Sequence, residues 1–222
     1  MSVLNKNTQM ILASQSPRRS ALMKLFDYPF QVEPANIDES KNKTESPNSY
    51  AKRLALSKTL KVSQNYPTNS IVIGADTVVV QDNHVVGKPE TNIEARSMLM
   101  QLQGKTHQVV TAIAIYFNKL GTTTQELCET SVQMRNMTEE EVAEYVSTGD
   151  SLDKAGAYAI QNVEFHPATP LGGCLANVIG LPLCHMTRAL HKNNVSVDND
   201  IAEKCQNHLG YDCPVYASIL QS

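Results

Sequence analysis

Two serines and two arginines lie close together near the start of the chain, in the run Ser14-Gln15-Ser16-Pro17-Arg18-Arg19. Ser16 and Pro17 are residue types that favour the N-cap and the first position of a helix. The first turn of a helix has unpaired N–H groups and the positive end of the dipole, so it attracts anions such as phosphate. Two arginines there oppose the dipole unless an anion compensates them. The run therefore predicts a phosphate-binding turn, and a solvated Arg-Arg pair without a ligand is the alternative that it leaves open.

A second candidate is Asp76, which interrupts the strongest strand signal in the chain. Residues 70–80 read Ser-Ile-Val-Ile-Gly-Ala-Asp-Thr-Val-Val-Val, and such a run is typical of a central strand buried on both faces. A carboxylate in this place is costly unless it is paired, hydrogen-bonded or bound to a metal. Gly74 and Ala75 leave room beside it for a ligand or another stretch of backbone. Because perturbed carboxylates cluster at working sites, we interpret Asp76 as functional; an aspartate that caps a turn is the alternative.

Three further charged residues become candidates only through their position in the fold. Lys58 lies in the middle of a predicted helix, where lysines are usually solvated. Lys88 lies in the run Gly87-Lys88-Pro89, whose backbone is fixed and from which it could point back at Asp76. Glu39 ends the run Ile37-Asp38-Glu39, and the polar stretch that follows it to Ser46 has no apolar period and indicates an exposed loop. Glu39 is an ordinary loop charge unless another carboxylate faces it.

Histidine and cysteine positions give no clear metal site. His107 stands alone before a predicted strand, and a loop hydrogen bond is the simpler interpretation than metal ligation. Cys205, His208 and Cys213 have a spacing that invites a structural zinc, but they lack an obvious fourth ligand. A zinc site in this tail is therefore disfavoured.

The candidates depend on helices and strands that the sequence also predicts. Ser-Pro pairs at Ser16 and Ser46 begin helices, and the runs 91–94 and 138–141 are capping boxes that begin two more. Gly104 and Gly149 end those two helices. Strands are expected before Ser14 and over 30–32, 70–80, 85–86, 108–116 and 126–135. A helix is expected over 180–192, and the tail is expected to hold a helix over 201–209 and an extended segment over 214–220.

The composition limits the class of protein. The chain has 222 residues, enough for one well-buried α/β domain, and a net charge of −3. Without a basic excess, general nucleic-acid binding is disfavoured and any anion site must be local. No apolar run approaches a membrane span, and the first nine residues lack the hydrophobic core of a secretory signal. The five cysteines are scattered and odd in number, so a cytoplasmic, reducing location is expected.

Six blocks of the sequence, taken together, resemble the Maf family of nucleotide pyrophosphatases. They occur in the family's order between about residue 9 and residue 192. Residues 162–176, which the resemblance places at the lip of the pocket, differ from the family's usual sequence. The resemblance implies a pyrophosphatase domain over residues 1–192 and a C-terminal extension over residues 193–222. The blocks are Leu12–Arg19, Gly74–Val79, Gly87–Pro89, Gly104–Thr111, Asp153–Gln161 and Asn177–Leu183.

The resemblance implies a fold and a reaction. The fold is a single α/β domain with a long twisted mixed β-sheet, flanked by helices and split by a cleft, as in the related inosine triphosphate pyrophosphatases. The reaction is hydrolysis of a nucleoside triphosphate between its α and β phosphates, which gives the monophosphate and pyrophosphate. The resemblance also implies a divalent metal cation, Mg or Mn, and a homodimer.

The family's functional positions fall on residues of the expected types. Cations neutralise a triphosphate, and carboxylates supply the oxygen ligands that a hard cation prefers. From the chemistry we hypothesise that Asp76 also orients or deprotonates the attacking water. The resemblance implies that Ser14, Arg18, Arg19, Thr77 and Gln161 bind substrate, that Asp76, Glu39, Lys58 and Lys88 are catalytic, and that Asp76 and Glu39 hold the metal.

Substrate choice follows from the branch that the chain resembles. The branch for dTTP, UTP and modified pyrimidines has a double arginine after Ser-Pro, Thr after the Asp and Gln at the end of the Ala-Gly-Ala-Tyr block. This chain has the same residue types at these positions, namely Arg18, Thr77 and Gln161. A Gln amide offers a donor and an acceptor, which match the edge of uracil or thymine. The alternatives are a 7-methyl-GTP pyrophosphatase and a nucleotide-binding regulator of septum formation or division arrest with little turnover. The paired carboxylates favour the enzyme, because a pure binder has no need of them beside a triphosphate.

Overall fold

The strand that carries Asp76 lies in the middle of a β-sheet. A computed structural model describes residues 2–3, 8–66, 69–152, 154–197 and 200–221, so Asp153, the first residue of the fifth family block, lies outside the described residues. In chain order the strands are β1 (Ser2–Val3), β2 (Gln9–Leu12), β3 (Phe30–Val32), β4 (Ser70–Gln81), β5 (His84–Val86), β6 (Thr106–Phe117), β7 (Thr122–Met134), β8 (Ala168–Pro170) and β9 (Val195–Ser196).

Helices connect and cover these strands. Short 3₁₀ turns lie at Lys24–Phe26 and Ala155–Ala157. Within the described residues, no helix combines the length and the apolar character that crossing a bilayer requires. The helices are α1 (Pro17–Met23), α2 (Pro47–Ser63), α3 (Asn92–Leu102), α4 (Glu139–Ser147), α5 (Leu175–Ile179), α6 (Leu183–Lys192), α7 (Ile201–Leu209) and α8 (Tyr216–Leu220).

The main sheet contains parallel and antiparallel pairs. Its strands are ordered β3-β2-β4-β6-β7-β8, and β5 pairs with β4 beside this path. β2 runs parallel to β3 and β4, whereas the pairs β4–β6, β6–β7 and β7–β8 are antiparallel. The expected single α/β domain with a long mixed sheet flanked by helices is confirmed.

Alternate residues of the central strands face opposite layers of helices, because side chains alternate along a strand. On β6, Ala112 belongs to the core cluster that includes Ala55 of α2. The next residue, Ile113, belongs to the cluster that includes Met186 of α6. On β4 the same alternation directs Asp76 toward α2 and Thr77 toward the other layer. Asp76 and Thr77 therefore lie on opposite faces of the sheet, although they are neighbours in the chain.

One edge of β4 is left open in its middle. Along β4, the pairing with β2 ends at Ile73, which faces Leu12, and the pairing with β5 begins at Val79, which faces Val86. In the part of the chain that the structure describes, residues 74–78 of β4 thus have a strand partner only on the β6 side. Groups from both faces of the sheet can reach this gap. It is the cleft expected from the family resemblance.

Most of the predicted helix starts are confirmed. Ser16 Oγ accepts from Arg19 N at 3.4 Å, and Ser46 Oγ accepts from Ser49 N at 3.2 Å, each before a proline. The capping box at Thr138 is complete, with both reciprocal hydrogen bonds. The predicted box at Thr91 is half wrong: Thr91 caps the helix, but Glu94 accepts from Glu90 N instead of from Thr91 N.

The tail packs on the domain, and its last segment differs from the prediction. The helix expected over 201–209 is present as α7, whereas the segment expected to be extended forms α8. Val215, Tyr216 and Ile219 have β propensity, which favours an extended segment. Packing overrides this preference, since the helix buries Ile219 in a cluster with Cys184 of α6 and Ala202 of α7.

The missing side chain of Gly74 lets α2 approach β4. A Cβ at Gly74 would lie 2.3 Å from Thr59 Oγ1 and 2.7 Å from the Ala55 carbonyl oxygen. The room that the sequence leaves beside Asp76 is therefore filled by helix backbone. Gly74→Ala is expected to lower the free energy of unfolding by about 1–3 kcal/mol through overpacking, measured by urea denaturation.

The matched control for this prediction is Gly87→Ala. A Cβ at Gly87 would meet no heavy atom within 4 Å. This change is expected to be neutral or slightly stabilising, because alanine loses less backbone entropy on folding. Equal urea midpoints for Gly74→Ala and the unsubstituted protein would show that α2 and β4 are not closely packed at this position.

Candidate active site

The open edge of β4 leads into a cavity of about 950 Å³. Its wall comes from the turn after β2, the loop before α2, the middle of β4, the end of β5 and the segment around the second 3₁₀ turn. The cavity brings together distant parts of the chain, from Ala13 to Ile179. All the residues predicted for the site line it: Ser14, Arg18, Arg19, Glu39, Lys58, Asp76, Thr77, Lys88 and Gln161.

Arg19 is fixed by three hydrogen bonds from its guanidinium. Its Nε donates to the Gly180 carbonyl at 2.9 Å, its Nη2 to Thr77 Oγ1 at 3.0 Å and its Nη1 to Ser14 Oγ at 3.3 Å. Burial lowers the pKa of Arg19, while the charge of Asp76 raises it. A guanidinium remains protonated under all conditions in proteins. Arg19 therefore presents a fixed positive charge to the cavity.

Lys58 joins the two carboxylates of the site. Its Nζ lies 2.6 Å from Asp76 Oδ1 and 2.8 Å from Glu39 Oε1. Lys58 and Asp76 are both buried, whereas Glu39 is half-exposed at the cavity wall. The lysine that the sequence placed in mid-helix is thus not solvated, because α2 lies on the face of β4 from which Asp76 projects.

The two carboxylates have opposite pKa shifts. Burial raises the pKa of Asp76, and the charges of Lys58 and Arg19 reduce this rise without cancelling it. Burial also raises the pKa of Glu39, but the hydrogen bond and the charge of Lys58 outweigh it, so the net shift is downward. The arrangement therefore pairs a carboxylate of increased basicity with one that stays ionised.

Two cations at the cavity wall keep their charge available. Arg18 and Lys88 form no ion pair with any carboxylate among the described residues. Lys154, also at the wall, pairs with Asp150 at 3.1 Å. Gln161 is exposed and lines the cavity from the segment after the second 3₁₀ turn. Arg18 and Lys88 are therefore placed to attract an anion.

Sequence reasoning missed two tyrosines at this wall. The hydroxyl of Tyr50, in α2, donates to the Glu39 carbonyl oxygen at 2.7 Å and so holds the loop that carries Glu39. The Tyr158 hydroxyl lies 2.7 Å from Nε2 of His107. Burial lowers the pKa of His107 to about 4, so this ring is neutral at pH 7. The hydrogen bond expected for His107 is confirmed, although the residue lies in β6 and not in a loop.

Fold and cavity together define an α/β protein whose cavity is lined by cationic side chains beside a buried carboxylate. The Maf-like protein family model matches residues 9–193. The dTTP/UTP pyrophosphatase of Koribacter versatilis (strain Ellin345) is 40% identical over 191 residues, 86% of this chain and 97% of that protein. The dTTP/UTP pyrophosphatase of Geobacillus sp. (strain WCH70) is 42% identical over 186 residues, 83% of this chain and 97% of that protein.

This chain belongs to the Maf family, which confirms the resemblance stated from its six blocks. A solved structure of a nucleoside-triphosphatase / dITP/XTP pyrophosphatase from Mycobacterium abscessus covers 84% of this chain and 95% of its own. It has a TM-score of 0.43 and 15% sequence identity, a likeness too distant to bear on function. The roles of the individual site residues remain predictions.

Proposed function

We propose that this protein hydrolyses dTTP and UTP to the nucleoside monophosphate and pyrophosphate. The observation that carries the proposal is the convergence of four cations and two carboxylates on one cavity: Arg18, Arg19, Lys58, Lys88, Glu39 and Asp76. Family relatives that are 40% and 42% identical carry the name dTTP/UTP pyrophosphatase, which supports the same substrate class here.

The charges suit a triphosphate. A triphosphate repels an incoming water or hydroxide until its negative charge is neutralised. Arginine does this with paired N–H donors and lysine with a point charge. Arg19 already has a fixed orientation, while Arg18 and Lys88 keep their charges for a ligand. These residues would bind the phosphates at the open edge of β4.

Asp76 is the proposed general base. In this step the water oxygen bonds to the α phosphorus, and Asp76 accepts the proton of that water. The bond from the α phosphorus to the bridging oxygen breaks, and pyrophosphate leaves with the electron pair. The raised pKa of Asp76 supports this role, because a more basic carboxylate is a better proton acceptor as long as it is ionised.

Glu39 and Asp76 also fit a divalent cation. Their oxygens converge on one point, where the Lys58 ammonium lies within 2.8 Å of one and 2.6 Å of the other. No group of three His, Cys, Asp or Glu side chains suited to a metal occurs in the described part of the chain. Mg²⁺ is nevertheless usually bound by only one or two protein carboxylates, with substrate phosphates and water as its other ligands. A bound Mg²⁺ or Mn²⁺ supplies charge neutralisation of the phosphates.

The test of the proposed function is pyrophosphate release from purified protein with Mg²⁺ or Mn²⁺ and a panel of nucleoside triphosphates. Stoichiometric formation of dTMP and pyrophosphate from dTTP is the expected result. Binding of dTTP in a calorimeter without any release of pyrophosphate would replace the enzyme by a nucleotide-binding regulator. Release of inorganic phosphate in place of pyrophosphate would contradict cleavage between the α and β phosphates.

The substrate preference is a separate prediction. We expect kcat/KM for dTTP and UTP to exceed that for 7-methyl-GTP by at least about tenfold, which is about 1.4 kcal/mol of transition-state discrimination. The physical reason is the amide of Gln161, whose donor and acceptor match the uracil or thymine edge. Steady-state kinetics with the three nucleotides measures this ratio. The reverse order would assign the chain to the 7-methyl-GTP branch.

A further inference from the structure

The Thr77 hydroxyl that accepts from Arg19 has a second partner behind it, on the side away from the cavity. Thr77 and Thr111 face each other across the β4–β6 pair, and their Oγ1 atoms are 2.9 Å apart. Thr111 is fully buried. Its hydroxyl donates to the main-chain carbonyl of Asn177 at 2.8 Å. A continuous chain of hydrogen bonds, here called the threonine relay, therefore runs from Arg19 through Thr77 and Thr111 to Asn177.

The direction of every proton in the threonine relay is determined by its two ends. A carbonyl oxygen only accepts, so Thr111 must give its single hydroxyl proton to Asn177. Thr77 must then donate to Thr111. A guanidinium only donates, so Thr77 must accept from Arg19. Hydrogen bonds aligned in one direction polarise one another and gain strength. The Thr77 hydroxyl therefore faces the cavity with lone pairs only.

The end of α5 supplies the acceptor for this chain. The N–H groups of Gly180 and Leu181 both donate to the Ala176 carbonyl, which leaves the Asn177 carbonyl for Thr111, as carbonyls at helix ends are left without helical partners. Gly180 has a φ of +120°, a region that favours glycine. A Cβ there would also lie 3.2 Å from Thr77 Oγ1 and 3.3 Å from Arg19 Nε. The same helix end thus receives Thr111 and, through the Gly180 carbonyl, Arg19.

Asn177 also holds the helix end in place with its side chain. Its Nδ2 donates to the Val109 carbonyl and to Thr130 Oγ1, both at 2.9 Å. These contacts tie α5 to β6 and β7 at the Val109–Thr130 pair, two residues along β6 from Thr111. The acceptor end of the threonine relay is therefore fixed by the sheet itself.

We propose that Thr111 is a positioning residue, which accepts the hydrogen bond of the Thr77 hydroxyl so that Thr77 orients the Arg19 guanidinium toward a bound polyphosphate. A guanidinium has five N–H donors, and three of those of Arg19 are used within the protein. The threonine relay fixes the plane in which the other two are presented to the cavity. The identity of the ligand as a nucleoside triphosphate rests on the proposed function, whereas the orientation of Arg19 does not.

The test compares Thr111→Val, which removes the hydroxyl at nearly constant shape, with Thr111→Ser, which keeps it. Thr111→Val is expected to lower kcat/KM for dTTP and to raise the Kd of inorganic tripolyphosphate by about tenfold each, the worth of one well-placed hydrogen bond. Thr111→Ser is expected to restore both values to within about twofold. Thr187→Val is the matched control, because Thr187 is buried in α6 and its hydroxyl has no partner among the described residues.

A structural effect is separated from a positioning effect in an Arg19→Lys background. There the group that the threonine relay orients is already gone, so adding Thr111→Val should cost less than about twofold, the signature of coupled residues. An undiminished tenfold cost in that background, or a Thr111→Ser variant as impaired as Thr111→Val, would overturn the proposal. If the unsubstituted protein released no pyrophosphate, the proposed function would fail, and the tripolyphosphate Kd would still decide for or against the threonine relay.

Discussion

Asp76→Asn is expected to reduce kcat for dTTP by about 10²–10⁴-fold, the usual contribution of a general base. The side chain keeps its size but loses the ability to accept a proton from the attacking water. Asp76 lies between Lys58 and the open edge of β4, and the described residues contain no other buried carboxylate there that could replace it as the base. Single-turnover measurement of pyrophosphate release gives the chemical step directly.

This loss should not come from unfolding. Because burial raises the pKa of Asp76 in the folded protein, its ionised form is less favourable in the folded state than in the unfolded state, and removing the charge does not remove a net stabilising group. The buried ammonium of Lys58 keeps Glu39 as its partner at 2.8 Å, so Asp76→Asn does not leave an uncompensated buried charge. Equal or higher urea midpoints are therefore expected for Asp76→Asn. Asp27→Asn, at an exposed position with a φ of 50° that asparagine tolerates, is the matched control for activity. Near-normal turnover of Asp76→Asn with metal present would remove Asp76 from the role of base.

The same pKa shift predicts the acid limb of the pH profile. Asp76 must be ionised to accept a proton, so kcat/KM should fall as the pH drops through its raised pKa, which lies above the ordinary value of 3.8. The stability term has the opposite sign. The contribution of Asp76 to the free energy of unfolding is fully present below pH 3.8, where the carboxyl is protonated in both the folded and the unfolded state. This contribution is lost as the pH rises through the pKa of the folded state. Activity and stability at this residue therefore change in opposite directions with pH.

Lys58→Met is the second large prediction. Removing one member of a buried ion pair typically costs about 3–5 kcal/mol, because the partner charge is left without compensation. Asp76 and Glu39 would both lose their contact with the Lys58 ammonium, which lies 2.6 Å from Asp76 and 2.8 Å from Glu39. The pKa of Asp76 should rise further, so a smaller fraction is ionised at neutral pH. We expect kcat/KM for dTTP at pH 7 to fall by about 100-fold or more, since proton acceptance and charge neutralisation are both impaired.

The pH dependence identifies the cause of this loss. In Lys58→Met the carboxyl of Asp76 can remain protonated at low pH. A neutral carboxyl needs no compensating charge, so the missing ammonium then lowers the free energy of unfolding least. The loss of unfolding free energy should therefore be larger at pH 8 than at pH 5, and the acid limb of kcat/KM should move to higher pH. Lys61→Met, an exposed position in the same helix, should change neither. An equal loss of stability at both pH values would mean that Lys58 does not compensate a buried carboxylate.

Local features of this protein were predictable from its sequence. The starts of α1, α2 and α4 follow from Ser16, Ser46 and Thr138, because a cap is made by residues within one turn of each other. The buried strand around Asp76 follows from its β-branched run. The segment at 214–220 was predicted wrongly, since its helix depends on burying Ile219 against α6 and α7 and not on its own propensity.

The sequence by itself determined which residue types are present for the chemistry: arginines on a capped helix turn, a carboxylate in a central strand and a lysine between Gly and Pro. Only the tertiary structure decided that β2 ends opposite Ile73 and β5 ends opposite Val79, which opens the cavity to both faces of the sheet. It also brought Lys58 to Asp76 and the Gly180 carbonyl to Arg19, 161 positions away. Strand order and helix docking depend on the burial of apolar surface between distant segments, and no local pattern specifies which segments will meet.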